Sequence, residues 1–204
     1  MTANNQNLVR YSGLISLSDR NRLNGHRSGV IWFTGLPASG KSTIAHLLEL
    51  ELYQLGIRSY VLDGDNLRHG LNSDLGFSRE DRMENIRRAV EVARLFADAG
   101  LIVMCAFITP FEEERRYIRE RLRDLNLVEV YVKCGIEKCE ERDEKGFYKR
   151  ARVGILKDYT GVSSPYEEPE RTDLVIDTEI LTVDESVSAV LRYLREKRFL
   201  DLDM

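Results

Sequence analysis

Gly35, Leu36, Pro37, Ala38, Ser39, Gly40, Lys41 and Ser42 follow the spacing G-x-x-x-x-G-K-[ST], with Thr43 next in line. That spacing suits a loop around phosphate. Glycines let the backbone curl so that several N–H groups point inward, and a helix starting there adds positive potential. Lys41 then reaches the β- and γ-phosphates of a nucleoside triphosphate, and the Ser42 hydroxyl suits Mg²⁺. Twenty residues on, Asp63 and Asp65 flank Gly64. Carboxylates there can hold Mg²⁺ or its waters, or take a proton from an acceptor hydroxyl. Arg68, Arg82, Arg87 and Arg88 come after them, and Arg82 and Asn85, three apart on a helix, share a face that offers donors to an anion. Phe77, an aromatic in a loop, either plugs the core or stacks on a base.

The elements that must position these groups alternate between two periods. Residues 30–34 read as a buried strand ending at Gly35, and a helix follows with Ile44, Leu47, Leu48, Leu52 and Leu55 on one face and Gly56 as its stop. A second strand at 59–62 runs into Asp63-Gly64-Asp65. A helix over 79–99 carries Ile86, Ala89, Val90, Ala93 and Ala97 inward. Residues 101–108 form a continuous apolar strand of the kind a parallel sheet buries on both faces. A charged helix at 111–125, a strand at 128–132 and a short helix at 136–142 come next. Residues 143–172 lose all periodicity, 174–176 give a fifth strand, and Thr182 with Glu185 opens a last helix. The expectation is an α/β, three-layer P-loop fold with a five-stranded, mainly parallel, doubly wound sheet. Residues 1–28 read as an N-terminal extension with at most partial structure. Residues 29–204 read as the domain, with a basic lid at about 143–172.

Composition excludes several classes. The formal net charge of -4, with no long basic tract, argues against a nucleic-acid partner. No apolar stretch approaches membrane-span length, and the polar N-terminus lacks a signal-peptide core. Cys105, Cys134 and Cys139 form no CxxC pair, and with His26, His46 and His69 they give no metal-ligand spacing, so reduced thiols in a cytoplasmic protein are expected. A guanine-binding N-K-x-D is absent, as is an apolar strand ending in D-E, which leaves a small-molecule kinase ahead of GTPases and motors.

Longer motifs carry a resemblance. The segments DGDNLRHG (63–70), LGFS (75–78), DRMENIRR (81–88), FADAG (96–100), KGFYKRAR (145–152) and YTGVSSPYE (159–167) resemble the adenylylsulfate kinase (APS kinase) family, and the similarity runs from about Leu8 to about Leu194. The resemblance implies ATP-dependent phosphorylation of the 3′-hydroxyl of adenosine 5′-phosphosulfate (APS), giving 3′-phosphoadenosine 5′-phosphosulfate (PAPS) and ADP. It implies a homodimer as well. By motif match, Arg68, Arg82 and Asn85 would hold the phosphosulfate and nucleotide, Phe77 would stack on the adenine, and Ile108 would line the pocket. Lys157 and Tyr166 would close over the acceptor. Asp63 and Asp65 would supply metal-water and base functions, with Asp65 favoured. Ser42 and Asp65 are the expected metal residues, and Lys145 to Arg152 the basic lid.

The chain departs from the family at 108–112, where ITPFE stands for the common ISPYR. Thr109 keeps the hydroxyl of a serine proposed as a phosphorylated carrier in some members, although in-line transfer needs no covalent intermediate. Glu112 reverses the charge of an arginine expected near the acceptor. Arg10 replaces a common tryptophan, and Val132-Lys133-Cys134 replaces V-D-T. Two other readings stay open: a related P-loop kinase for another nucleotide or anionic acceptor, and a nucleotide-binding regulatory subunit without turnover.

Overall fold

A computed structural model describes residue 11 and residues 13–200. Arg10 and the start of the resemblance at Leu8 lie outside the described residues. In chain order the elements are α1 Leu17–Asn24, β1 Gly29–Thr34, α2 Lys41–Gln54, β2 Ser59–Asp63, α3 Gly64–Arg68, α4 Arg79–Asp98 and β3 Ile102–Ala106. They continue with α5 Glu112–Leu122, β4 Leu127–Lys133, α6 Ile136–Glu141, α7 Phe147–Arg152, β5 Leu174–Asp177 and α8 Val183–Glu196.

The central strand β1 is buried along its whole length because helices cover both its faces. Its alternate residues feed two cores. Ile31 and Phe33 pack with α2 and α8, while Val30 and Trp32 pack with α4 and α5. The apolar faces read from the sequence for α2 and α4 are the buried ones, except that Leu55 ends α2 half-exposed.

The sheet has five strands in the order β2-β3-β1-β4-β5, and every pair is parallel, so the expected "mainly parallel" sharpens to wholly parallel among the described strands. From β1 the chain crosses to the edge at β2, returns through α4 to β3, and then steps over β1 through α5 to β4. Right-handed crossovers in opposite directions put α2 and α4 on opposite faces and open a crevice at the carboxyl end of β1. Register brings Asp63 level with Ala106, which is itself level with Phe33. The last residue of β2 therefore stands one strand away from the loop that leaves β1.

Three local expectations change. The Asp63-Gly64-Asp65 turn starts the short helix α3, because the Asp63 carboxylate caps it by accepting from the backbone N–H groups of Asp65 (2.9 Å) and Asn66 (3.3 Å). The segment expected to be irregular holds α7, whose one and a half turns are too short to show a period. Within the extension, α1 is a helix with a Ser16–Asp19 capping box. It rests on the body through Asn24, whose amide donates to the Gly100 carbonyl at 2.9 Å.

Candidate active site

The loop after β1 has the backbone that its glycines predict. A Cβ at Gly35 would sit 2.4 Å from the Val132 carbonyl oxygen, so no side chain fits there. Gly40 at φ +103 and Ala38 at φ +59 turn the chain back toward α2. Three residues outside the motif brace it. The Tyr148 hydroxyl of α7 donates to the Pro37 carbonyl at 3.0 Å, and the Thr178 hydroxyl donates to the Ser39 carbonyl at 3.0 Å. Arg142 donates in turn to the Thr178 hydroxyl (3.0 Å) and carbonyl (2.7 Å). Sequence reasoning misses this brace, since its members lie 100 or more residues from the loop in chain order; the one available signal was Thr178 at the carboxyl end of the last strand.

Lys41 folds under the loop rather than out of it. Its ammonium donates to the Leu36 carbonyl at 2.6 Å, and burial pushes its pKa down to about 8. An ammonium held in so dry a place by one carbonyl and, at 3.5 Å, the Ser39 hydroxyl has room for a stronger partner, and a phosphate oxygen would supply it. Ser42 and Thr43 are exposed at the start of α2.

The carboxylate beside Ser42 is that of Asp63, not Asp65. The Ser42 hydroxyl donates to Asp63 Oδ2 at 2.6 Å while Asp63 Oδ1 caps α3. Asp65 lies in the first turn of α3, exposed, and meets Lys145 of the lid at 3.3 Å. Of the expected metal residues, Ser42 thus bonds the Asp63 carboxylate, which also caps α3, while Asp65 meets Lys145. Mg²⁺ keeps water and phosphate ligands and needs only one or two protein oxygens. A hydroxyl and a carboxylate at the foot of a phosphate loop fit that need.

Across the sheet edge, Phe77 is 60% exposed, with the Arg68 guanidinium 4.4 Å from its ring centroid and that of Arg82 6.0 Å away. Arg68 donates to the Leu75 and Gly76 carbonyls, and Arg82 to those of Phe77 and Asp158 and to the Thr160 hydroxyl. Arg82 thereby ties α4 to the later part of the lid. Asn85 is buried one turn later against Asn72. Arg87 and Arg88, grouped with these by sequence, bond Glu84 and Asp74 instead and serve the surface of α4. Lys157 is exposed, and Ile108 is half-buried two residues after β3. Tyr166 stacks on Tyr131 and reaches the Thr34 hydroxyl at 3.1 Å.

Thr109 does not offer its hydroxyl to the crevice. It is 2% exposed, sits at φ +39, and donates to the Thr34 hydroxyl at 2.7 Å. The charge reversal at Glu112 is absorbed locally. Its carboxylate pairs with Arg115 at 2.9 Å and with Arg119, which also holds Glu129. Arg115, fully buried, donates to the Thr109 carbonyl at 2.9 Å and so fixes the turn that leaves β3.

Glu114 in the same helix is 3% exposed, and burial pushes its carboxyl up to about 7 despite Arg82, Arg115 and Arg79 nearby. A carboxyl whose folded pKa exceeds its unfolded value destabilises the fold as pH rises from about 4.5 through about 7. Glu114→Gln keeps the oxygen that accepts from the Phe111 N–H. It is expected to raise thermal stability at pH 8, by at most about 3 kcal/mol, and to leave it unchanged at pH 4. Melting curves at the two pH values check this; an equal gain at both would contradict it.

A family model described as adenylylsulphate kinase matches residues 27–177. An adenylyl-sulfate kinase of Thermodesulfovibrio yellowstonii is 55% identical over 197 residues, 97% of this chain and 98% of the relative. A Mycobacterium tuberculosis APS kinase, solved in complex with AMPPNP and APS, superimposes with a TM-score of 0.81 at 45% identity, covering 83% of this chain and 99% of that one. A hexameric APS kinase from Thiobacillus denitrificans gives a TM-score of 0.67 at 30% identity over 90% of this chain and 32% of that one. Among the described residues no helix is long and apolar enough to cross a membrane.

Proposed function

The chain belongs to the adenylyl-sulfate kinase family, and from that premise we propose that it transfers the γ-phosphoryl group of ATP to the 3′-hydroxyl of APS, releasing PAPS and ADP. The observation that carries the reading is a juxtaposition at one sheet edge. The phosphate loop bonds the carboxylate that caps α3 (Ser42 to Asp63, 2.6 Å), and α3 ends in Arg68, which with Arg82 flanks the Phe77 ring. The first half suits a triphosphate with its cation; the second suits a nucleotide that carries its own anionic tail.

In this reading the loop from Gly35 to Thr43 wraps the triphosphate, and Lys41 exchanges the Leu36 carbonyl for phosphate oxygen. Ser42 and Asp63 would hold Mg²⁺, which would supply neutralisation of the triphosphate charge. Phe77 stacks on the acceptor adenine, while Arg68, Arg82 and Asn85 meet the phosphosulfate and nucleotide beside Ile108, Lys157 and Tyr166. The acceptor oxygen attacks phosphorus in line, the bond to the bridging β,γ-oxygen breaks, and Asp65 takes the proton of the 3′-hydroxyl. Lys145, now paired with Asp65, and the cations of α7 close as a lid at about 143–172 and exclude water. Thr109 takes no covalent part, since its hydroxyl is committed to Thr34.

Residues 29–204 form the catalytic domain in this reading and 1–28 an extension of it. Family membership supports a homodimer, and the free, buried Cys105, Cys134 and Cys139 suit the cytoplasm. Purified protein with Mg-ATP is expected to release ADP when APS is added and not without it. Release with a different nucleotide or anionic acceptor, and none with APS, would replace the substrate. ATP binding without product from any acceptor would favour a regulatory subunit.

A further inference from the structure

Asn72 and Asn85 form a buried amide pair at the acceptor side of the crevice. Asn72 is 0% exposed in the loop between α3 and α4, and Asn85 is 6% exposed on α4. The Asn72 Nδ2 donates to Asn85 Oδ1 at 2.8 Å, while Asn72 Oδ1 is enclosed without a hydrogen-bond partner. The loop that presents Asn72 is firmly held. The Asn72 backbone N–H donates to the Leu67 carbonyl at 2.9 Å, and its own carbonyl accepts from Leu75 at 3.1 Å. Arg88 clamps the flanking residues by donating to the Leu71 carbonyl and pairing with Asp74.

The direction of the amide bond has a chemical consequence. The bond runs from the Asn72 Nδ2 to the Asn85 Oδ1 and consumes the Asn85 oxygen. What Asn85 has left to offer is its NH₂ group. Asn85 stands one turn along α4 from Arg82, on the same face. An anionic acceptor on that face requires donors; an amide oxygen presented there would repel it.

We propose that Asn72 is a positioning residue for acceptor binding: by donating to the Asn85 oxygen it turns the Asn85 NH₂ group, rather than its oxygen, toward the acceptor nucleotide. This rests on the acceptor site described under the proposed function. Asn72 touches no substrate and acts through Asn85 alone, which separates it from a residue that merely supports the loop.

A double-mutant cycle read in steady-state kinetics tests it. Asn72→Ala and Asn85→Ala are each expected to raise KM for APS about tenfold, with kcat and KM for ATP within about twofold of wild type. The double variant should match Asn85→Ala alone, because without its amide Asn85 has nothing left for Asn72 to orient. Asn72→Asp, an acceptor only, should bind the Asn85 NH₂ and turn the Asn85 oxygen outward, raising KM for APS beyond Asn72→Ala. Additive losses in the cycle, or losses shared equally by ATP and APS, overturn the proposal. Should the Asn72 variants fail to fold, side-chain amide NMR of the wild-type protein decides. The Asn85 NH₂ signals must shift on APS saturation while those of Asn72 stay slow to exchange, and unshifted Asn85 signals overturn it. A wild-type protein that turns over APS but shows additivity refutes only this inference. One with no APS-dependent turnover refutes the acceptor reading and this inference with it.

Discussion

Lys41→Met is expected to lower kcat/KM for ATP by about 10²- to 10³-fold, the usual consequence of removing one preorganised cationic donor from a developing phosphoryl charge. The loss should come without unfolding. Lys41 is 8% exposed among Leu36, Cys134 and Cys139, and burial already holds its pKa at about 8, so the ammonium costs the empty fold stability. A methionine of similar length fills the same volume with no charge to desolvate. Thermal melting of the variant should therefore equal or exceed that of wild type while ADP release collapses. The same burial predicts a pH effect on the wild-type protein. Above about pH 8 the nucleotide-free enzyme loses the Lys41 proton, so calorimetric affinity for ATP should fall between pH 7 and pH 9. Full activity in Lys41→Met, or pH-independent ATP affinity, would remove Lys41 from the phosphate site.

Asp65→Ala is expected to lower turnover by about 10²- to 10⁴-fold with ATP affinity nearly unchanged, as for loss of a general base. Asp65 is exposed, contacts the lid through Lys145 at 3.3 Å, and braces no loop, so its removal leaves the phosphate site standing. Asp63 provides the contrast. It accepts from Ser42 at 2.6 Å and caps α3, so Asp63→Ala should weaken Mg-ATP binding and also cost about 1 kcal/mol of stability. Single-turnover rates, ATP titration and melting curves on the two variants separate the roles. Normal turnover in Asp65→Ala would pass the base to Asp63.

Much of the fold was legible because it is written in local patterns. The strand of β1 shows as an apolar run ending at Gly35, and α4 as a 3.6-residue apolar stripe. What escaped was short or depended on distant partners. The helix α7 is six residues long, and α3 grows from a turn whose first carboxylate caps it. Glu112 read as a charge reversal beside the acceptor, yet Arg115 and Arg119 lie one and two turns along the same helix and take up its charge. That pairing was present in the spacing; the link through Arg119 to Glu129, on β4, was not.

The sequence by itself determined the phosphate loop, the mainly parallel sheet that presents it, and the family whose acceptor its arginines would serve. Glycine spacing and apolar periodicity are properties of neighbours in the chain, so they need no folded partner to be read. Only the tertiary structure decided which aspartate meets Ser42, which donors brace Pro37 and Ser39, and which way the Asn85 amide faces. Each of those depends on hydrogen bonds between groups from 13 to 139 residues apart, and a directed bond between distant groups exists only once the sheet has set their register.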